Sequence, residues 1–547
     1  MSPAPTSPAR ANSSSLARDA LVLLVLVAAA GSVAILRGQD ANWDLQNYHY
    51  YNPWAWWNGR IFERDIAAAQ LQTFHNPLLD LPFFAMVQWN WPPRVIAFVL
   101  AIPAAIAAFF LAKLLPLLFG DLPGDERKVA VGCAFAIGVT SAMGVATLGT
   151  TMNEWPGAAL VVAALWLVVR DLVRGDAGDV APRHAAIAGL LVGVGTGGKL
   201  TVAVFALGLF VALAARTPHG PRGARGSVRE ALVFALGAAA GIAIAMGPWA
   251  YGLTTHYGSP VFPYFNDWIR SPWWDAAPVF HRVYGPHTLE GWLLFPFHLV
   301  GPGEHFVTEV PYRDGRFPVA WGLAIFAGAA WLAFRIGKRP VPEAPRGVRA
   351  AWRVTALFIA VSFVAWTALH SVYRYIVALD LLMGAVIVTL LARLVRPGYL
   401  PAIAIVAAVA LIATTRAGDW WHVKFGDKWF EVRTPPLRQN ALVMLTTDAP
   451  IAYLLPMLPP DARHLGVRNT VNDPGRGNLL ARSVKDAIEG HAGPLYQLTS
   501  PPGEGSQALA AHGLRRVEGS CAQFESNIHT RRVELCELVR DRGDAPR

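Results

Sequence analysis

The residues best suited to chemistry lie in the segment that follows the first apolar stretch of the chain. Residues 40–57 bring carboxylates, amides and aromatic rings together. Asp44 and Asp40 are the two acids of this segment, and either is a candidate general base. A carboxylate near an apolar boundary is costly unless it has a partner or a task, and desolvation is expected to raise the pKa of Asp44 into the range of a useful base. Acids, amides and rings in one segment are typical of a sugar-binding site.

The same loop, residues 37–93, supplies further polar side chains that are expected to contact substrate. They are Asn47, Tyr48, His49 and His75. Trp54, Trp56 and Trp57 are instead expected at headgroup level, since tryptophan is enriched at membrane interfaces.

Two more acid and amide candidates lie elsewhere. Asn153 and Glu154 directly precede an apolar stretch that begins with Trp155 and Pro156. Glu154 is expected either to stabilise the start of a helix, where the helix dipole is positive, or to serve as a second active-site acid. His256, in the segment 251–317, is a further candidate for substrate contact.

Basic residues at two breaks between apolar stretches suit a phosphorylated substrate. Lys199 follows two glycines, which let backbone N–H groups and the ammonium approach a phosphate. The run 196–201 lacks the glycine spacing of a nucleotide-binding P-loop, so ATP binding is not expected. Arg374 lies between Tyr373 and Tyr375, which are candidates for the same phosphate contact, and arginine matches phosphate oxygens bidentately. Headgroup anchoring is the other interpretation of Arg374.

The elements that must position these residues are membrane spans. The 547 residues are 54% hydrophobic and 15% charged, with a mean hydropathy of +0.35, which excludes a soluble globular protein. The stretches long enough to cross about 30 Å of hydrocarbon as helix are 19–36, 94–119, 129–149, 155–172, 230–250, 318–336, 354–369, 376–395 and 399–415. The region 184–215 provides two short spans broken at 196–199. The sequence therefore predicts an α-helical polytopic membrane protein of about eleven transmembrane helices.

Lysine and arginine in the short connections indicate a cytoplasmic N-terminus. With that orientation the basic clusters face the cytoplasm, whereas the short outward connections hold Lys199 and Arg374. The net charge of +10 thus reflects the lysines and arginines of the cytoplasmic loops, which set the orientation in the membrane, and no nucleic-acid binding is predicted.

This orientation divides the chain into three parts. Residues 1–18 form a cytoplasmic tail, and residues 19–415 form the transmembrane domain, with loops 37–93 and 251–317 outside the cytoplasm. Residues 416–547 are predicted to be a small extracytoplasmic α/β domain, because this segment contains stretches in which apolar and polar residues alternate, as in β-strands. The first span is expected to be a retained anchor and not a cleaved signal peptide.

Two of the three cysteines, Cys521 and Cys536, lie in the predicted C-terminal domain. An oxidising compartment would allow them to form a disulfide. Spacing alone does not decide whether their Cα atoms approach closely enough.

The joint placement of these features resembles the GT-C superfamily of integral-membrane glycosyltransferases, and in particular the bacterial relatives of protein mannosyltransferases and of the lipid A aminoarabinose transferase. The resemblance covers most of residues 15–415 and rests on the acidic first loop, about eleven spans, the outward acid, lysine and Tyr-Arg-Tyr, and the extracytoplasmic tail. The run 256–266 is similar to a segment of uncharacterised bacterial members. The tail from 416 onward adds nothing to the resemblance.

The resemblance implies transfer of a sugar from a polyprenyl-phosphate-linked donor to a glycan, lipid or protein acceptor on the outer face of the bacterial cytoplasmic membrane. Asp44 would be the base and Glu154 a second acid, and Lys199 and Arg374 would bind the leaving phosphate. No cofactor is expected beyond the lipid-linked donor, and a divalent metal is left open. Where the family often has two adjacent acids, this chain has Trp43-Asp44, with Asp40 one turn earlier. The chain has no His/Cys spacing of a zinc site.

Two other classes remain as alternatives. A polysaccharide polymerase or ligase would use arginines and histidines of loop 251–317, which contains His256, Arg270, His281, Arg282, His287, His305, Arg313 and Arg316. A transporter would explain the glycine-interrupted region 184–215. Transporters place ionisable groups near the bilayer midplane, whereas these lie at one surface, and this favours the transferase.

Overall fold

The computed structural model describes residues 8–175, 179–216, 223–277, 279, 284–301, 307–336, 344–396, 398–529 and 531–541. Each stretch predicted to span the membrane is helical. The helices are Pro8–Arg37, Pro93–Leu100 with Ile102–Leu118, Gly124–Val139, Glu154–Arg174, Pro182–Gly198, Ala203–Ala214, Gly223–Tyr257, Arg316–Ile336, Arg346–Leu369, Val377–Leu394 and Leu400–Thr414.

Within the described ranges, seven helices are long and apolar enough to cross a bilayer. Leu200–Ala214 and Leu400–Thr414 are apolar but shorter. The predicted span 129–149 is interrupted, since one helix ends at Val139 and a short helix, Ala142–Ala146, follows. The chain is a multi-pass α-helical membrane protein, as the sequence predicts.

Shorter elements form the connections. The helices are Tyr51–Trp57, Leu81–Gln88, Asn266–Ile269 and Leu289–His298, and the 3-10 turns are Gln70–Phe74, Leu78–Asp80, Leu200–Val202 and Tyr373–Ile376. A π-helical turn, Leu45–His49, follows Asp44 directly.

Small residues allow two of the membrane helices to pack very closely. A Cβ added at Gly189 would lie 2.0 Å from the Phe234 carbonyl oxygen, and one at Gly237 would lie 2.2 Å from the Ala186 carbonyl oxygen. Helices Pro182–Gly198 and Gly223–Tyr257 therefore pack backbone against backbone, as small residues permit in membranes. This contact fixes the end of the first helix, where Lys199 follows.

The tail carries the predicted α/β architecture. We number the strands β1 (Gln39–Asp40), β2 (His422–Val423), β3 (Leu442–Leu445), β4 (Arg463–Gly466), β5 (Leu495–Thr499), β6 (Leu514–Arg516), β7 (Ala522–Phe524) and β8 (Val533–Arg540). One sheet has the order β4-β3-β5-β8-β6, with β7 also paired to β8. Strands β3, β4 and β5 are parallel, whereas β8 runs antiparallel to its neighbours. The turn Ala452–Met457 and helices Leu479–Glu489 and Ser506–Ala510 connect the strands.

The tail docks on the first loop. Strand β1 pairs antiparallel with β2, and Ile66 forms a parallel bridge with Leu465 at the edge of the sheet. Beneath this bridge the buried Asp65 carboxylate accepts hydrogen bonds from Arg60 at 2.9 and 3.0 Å and from Tyr51 at 2.9 Å. It also contacts the His464 ring at 3.0 Å. Loop 37–93 and the tail are thus held together by backbone pairing and by buried side-chain contacts.

Cys521 and Cys536 are bonded to each other, with their Cα atoms 4.1 Å apart. The disulfide joins β8 to the start of β7 within the tail. Cys133 is a free, buried thiol in a membrane helix.

Candidate active site

Four residues that the sequence proposes for catalysis and phosphate binding meet at one point. Asp44, Glu154, Lys199 and Arg374 come from four separate segments of the chain. Two ion pairs join them, and the Arg374 guanidinium is 3.9 Å from Glu154, which links the pairs into one chain of alternating charges. We call these four residues the charge chain.

The first pair joins Asp44 to Arg374, with 2.8 Å between Oδ2 and Nη1. Asp44 is positioned by the π-helical turn that it precedes. Arg374 lies on the 3-10 turn Tyr373–Ile376, directly before a membrane helix. The side chains are only 13% and 9% exposed, so water screens their attraction weakly.

The second pair joins Lys199 to Glu154, with 2.6 Å between Nζ and Oε1. Glu154 is the first residue of its helix, where the positive end of the helix dipole favours a carboxylate. Lys199 has an extended backbone between the end of one helix and the start of a 3-10 turn. A Cβ at the preceding Gly198 would lie 2.8 Å from the Leu79 side chain, so this position requires a small residue. Both proposed roles of Glu154, the helix-start acid and the site acid, are therefore compatible with its position.

Aromatic rings form one wall of the site. The Lys199 ammonium lies 5.1 Å from the centre of the Tyr375 ring, and the Arg374 guanidinium lies 5.3 Å from the same ring. Trp420, from the segment that enters the tail, is 5.7 Å from Arg374 on its ring face. These contacts orient the two cations without consuming their hydrogen-bond donors.

The charge chain has unused hydrogen-bonding capacity. Arg374 Nε and Glu154 Oε2 are buried and have no hydrogen-bond partner in the described protein. Buried polar atoms are normally paired, and exceptions are frequent where a ligand binds. The site can accept further polar groups without first breaking the existing pairs.

The direction of the Asp44 pKa shift is the reverse of the sequence expectation. Burial disfavours the charged carboxylate, but attraction from Arg374, with smaller contributions from His49 and Lys199, outweighs it. The pKa of Asp44 is therefore lowered and not raised. Asp44 is ionised at neutral pH and, while paired with Arg374, is a weaker proton acceptor than the sequence suggests.

A second hydrogen-bonded group lies beside the charge chain. His49 Nδ1 is 2.7 Å from Asp80 Oδ1, and both side chains are almost fully buried. The same Asp80 oxygen accepts a hydrogen bond of 2.7 Å from the Asn153 amide, directly before Glu154. His49 Nε2 is buried and has no hydrogen-bond partner among the described residues.

Of two more predicted contact residues, Tyr48 lies against His49 and His75 lies against Tyr48. The Tyr48 ring centre is 4.1 Å from that of His49 and 5.2 Å from that of His75. His75 Nε2 contacts the Tyr264 hydroxyl at 2.7 Å. Burial lowers the pKa of His75 to about 4, and burial raises the pKa of Tyr48, so both side chains are neutral near pH 7.

Four other predicted residues have different surroundings. Asp40 is fully buried and accepts hydrogen bonds from Asn42 and from the backbone and hydroxyl of Thr151, so it ties the first loop to the 150–151 turn. Asn47 donates to Ala69 and Gln72 within its own loop.

Tyr373 and His256 also differ from the expectation. Tyr373 packs in the helical core against Tyr312 and Phe317, away from the wall formed by Tyr375. The His256 ring is exposed, stacks 4.9 Å from Phe62, and borders a separate cleft of about 200 Å³.

Sequence reasoning missed several residues of the site. Asp80 and Tyr264 orient histidines, Trp420 packs against Arg374, and Glu309 accepts a hydrogen bond of 3.2 Å from the Trp420 indole. Asp80 was visible as an acid of the first loop. Glu309, Tyr264 and Trp420 are far from the first loop in sequence, and no local pattern marks them.

Loop 251–317 supplies few groups to this site. The Arg316 guanidinium is fully buried and bonded to Asp314 at 2.7 Å, and Arg313 forms a β-bridge with Arg416. His281, Arg282 and His305 lie outside the described residues. The Arg316 guanidinium is thus occupied by a structural partner, whereas Arg270, His287 and the Arg313 side chain are exposed.

Cys521, Cys536 and Glu534 form a group of metal-ligating residue types in the tail. Because the two sulfurs are bonded to each other, the thiolates that would ligate a metal are not available.

No protein-family model matches the chain, and no curated protein matches it. Among solved structures, it is similar to the oligosaccharyltransferase of Archaeoglobus fulgidus in the apo form, at 12% identity over 88% of this chain and 69% of that chain, with a TM-score of 0.44. The complex of that protein with Zn and sulfate matches at 13% identity over 87% of this chain and 67% of that chain, with a TM-score of 0.44. The chain is also similar to the oligosaccharyltransferase AglB of the same organism in complex with an inhibitory peptide and a dolichol-phosphate. That match has 14% identity over 87% of this chain and 69% of that chain, with a TM-score of 0.42.

Proposed function

We propose that this protein is a glycosyltransferase that moves a sugar from a polyprenyl-phosphate-linked donor to an acceptor on the outer face of a bacterial cytoplasmic membrane. The reaction is a single displacement that inverts the anomeric carbon. The observation that carries this proposal is the charge chain, in which two cations and two carboxylates from four segments meet in a buried position beside aromatic rings.

Arg374 and Lys199 are proposed to bind the donor phosphate. Both are held beside Tyr375, and Arg374 retains a free Nε donor. A phosphate that enters takes hydrogen bonds from both cations, which it shares with the carboxylates already paired to them. Phosphate is already a good leaving group, so the site mainly has to align the reactants and neutralise the charge that develops on the leaving phosphate.

Asp44 and Glu154 are proposed to face the acceptor. Both are ion-paired carboxylates next to the phosphate-binding cations. Asp44 keeps its Oδ2 on Arg374 and accepts a hydrogen bond from the acceptor hydroxyl at its other carboxylate oxygen, which orients the hydroxyl oxygen toward the anomeric carbon. The sequence predicts that Asp44 also removes the proton. The reaction as proposed takes no step through a metal ion.

The proposed location is the cytoplasmic membrane with the N-terminus inside and the tail in the periplasm. The distribution of lysine and arginine supports this orientation. The Cys521–Cys536 disulfide supports an oxidising compartment for the tail. The lipid-linked donor and the bilayer are its proposed partners, with a glycan, lipid or protein as acceptor.

The test is release of free polyprenyl phosphate by the purified full chain in detergent, supplied with polyprenyl-phosphate mannose, glucose and aminoarabinose. Wild type is expected to release polyprenyl phosphate from one of them, and Asp44→Asn to lower the rate by about 10² or more, the usual size of an acid–base contribution. Asp19→Asn is the matched control, because Asp19 is an ion-paired acid at the other end of the helices, 2.5 Å from Lys113. An unchanged rate in Asp44→Asn would move the chemistry to loop 251–317, and no release from any donor would favour a ligase or transporter.

A further inference from the structure

The His49–Asp80 pair has a geometry that its role as a substrate contact does not explain. A carboxylate 2.7 Å from Nδ1 holds the proton on that nitrogen. In the neutral ring the lone pair is then on Nε2. That atom is buried and has no hydrogen-bond partner among the described residues, although buried polar atoms are normally paired. An imidazole oriented in this way is ready to accept a proton from a bound group.

The pair also lies beside the charge chain. Asp80 is hydrogen-bonded to Asn153, the neighbour of Glu154, so it fixes His49 relative to the charge chain. His49 is close enough to Asp44 to influence its ionisation. The acceptor oxygen, oriented by Asp44, therefore lies beside the histidine ring.

Asp44 and His49 differ as proton acceptors. Asp44 is paired with Arg374, and its pKa is lowered, so it holds a proton poorly. His49 has a carboxylate behind it that stabilises the imidazolium once the proton has arrived, as in other carboxylate–histidine pairs.

We propose that His49, oriented by Asp80, is the general base of the transfer, and that Asp44 orients the acceptor hydroxyl. This inference rests on the proposed function. The acceptor oxygen forms a bond to the anomeric carbon, and the bond from that carbon to the phosphate oxygen breaks, with its electron pair remaining on the phosphate. The acceptor proton passes to His49 Nε2 and then to solvent. Asp80 is a positioning residue, since it acts through the His49 ring.

The surroundings make this assignment testable by pH. The titratable and charged groups that face His49 are Asp80, Asp44, Tyr48 and His75, with Lys199 and Arg374 beyond Asp44. The pKa of His75 is lowered to about 4 by burial, and burial raises that of Tyr48. Histidine is the side chain whose ordinary pKa lies between about 5 and 8. A histidine that acts as the base is therefore expected to give a change of rate in that range.

The experiment is the pH dependence of kcat/KM for polyprenyl-phosphate release from the same three donors, with water as the acceptor. Wild type is expected to gain activity as the pH rises through the range 5–8, because the base must be unprotonated. His49→Gln is expected to lose about 10²–10⁴-fold in kcat and to lose this pH dependence. Asp80→Asn is expected to lower kcat and move the rise to lower pH, and Asp80→Glu to restore part of both.

The matched control is His184→Gln, which removes another histidine paired with an aspartate, Asp171 at 2.6 Å. It lies at the start of helix Pro182–Gly198, whose other end adjoins Lys199, and is expected to leave the rate and its pH dependence unchanged.

Three outcomes separate the possibilities. A wild-type rate that does not change between pH 5 and 8 overturns the inference without any variant, should His49→Gln fold poorly. A His49→Gln variant that keeps the wild-type pH dependence and changes only KM makes His49 a binding residue and leaves Asp44 as the base. No release by wild type from any of the donors overturns the proposed function itself.

Discussion

Asp44 and Arg374 are 330 positions apart in the chain, and their side chains form an ion pair of 2.8 Å in a nearly water-free position. The pair links the first loop to the turn before one of the last membrane helices. It keeps Asp44 ionised and Arg374 oriented in the absence of a ligand. A phosphate that binds Arg374 through its free Nε shares the guanidinium with Asp44.

Replacing Arg374 with lysine is expected to weaken donor binding more than it weakens the folded state. Lysine keeps the charge but loses the planar fork that matches two phosphate oxygens. A charge-assisted hydrogen bond contributes about 1.5–3 kcal/mol, so KM for the donor should rise by about 10- to 100-fold. The matched variant is Arg393→Lys, which alters an arginine paired with Asp121 at 3.1 Å at the other end of the helices. Equal effects of the two variants on KM would contradict phosphate binding by Arg374.

Substitutions of Lys199 and Glu154 are expected to have non-additive effects on the stability of the folded protein. Lys199→Met leaves the Glu154 carboxylate, which is 2% exposed, without its 2.6 Å partner. An unpaired buried polar group costs about 1–3 kcal/mol, so the thermal unfolding temperature in detergent should fall. The double variant Lys199→Met/Glu154→Gln removes both charges and should recover most of that loss. Simple additivity of the two single variants would show that the residues do not interact.

Asp65→Asn is expected to loosen the tail from the first loop. Asp65 accepts hydrogen bonds from Arg60 and from the backbone N–H of His464 in the tail, and removing its charge leaves the buried Arg60 guanidinium without its ion-pair partner, at a cost of about 3–5 kcal/mol. The measurement is the rate of limited proteolysis in the tail. Asp541→Asn, an exposed acid 3.7 Å from Arg515, is the control and should leave cleavage unchanged. Equal cleavage of both variants would mean that the Asp65 contacts do not hold the tail.

Stability of the docked tail is expected to rise with pH between about 4 and 6.5. Burial, with repulsion from Arg531, lowers the pKa of His529 to about 4, below the unfolded value of about 6.5. Between these values the unfolded chain binds the extra proton, so stability falls as the pH falls and is fully present above about 6.5. His75 and His370, whose pKa values are also lowered to about 4 by burial, contribute in the same direction.

His529 contacts the Gln46 side chain of the first loop and lies 3.0 Å from the Ser500 hydroxyl, so His529→Gln can keep polar contacts while it removes the titration. Unfolding temperatures of this variant measured from pH 4 to 7 should depend less on pH than those of wild type. An identical slope would assign the dependence to the other histidines.

The amino-acid sequence by itself determined the class of protein, a multi-pass membrane protein, and its helices. Long apolar stretches can satisfy their backbone groups in a bilayer only as helices, so composition and length predict them directly. The charge chain was also found from sequence, because a polar residue at the end of an apolar span is conspicuous. Alternating stretches likewise predicted the α/β tail, which the sheet formed by β3 to β8 confirms.

Only the tertiary structure decided which of these residues are partners. The pKa of Asp44 depends on an arginine 330 positions away, and its lowering reverses an expectation based on burial alone. Asp40 differs from Asp44 only in its neighbours, Asn42 and Thr151, which occupy its oxygens. The pairing of His49 with Asp80 depends likewise on how the first loop folds over the helix that Glu154 begins. Charge and hydrogen bonding act over a few ångströms in space, and the sequence specifies distance along the chain.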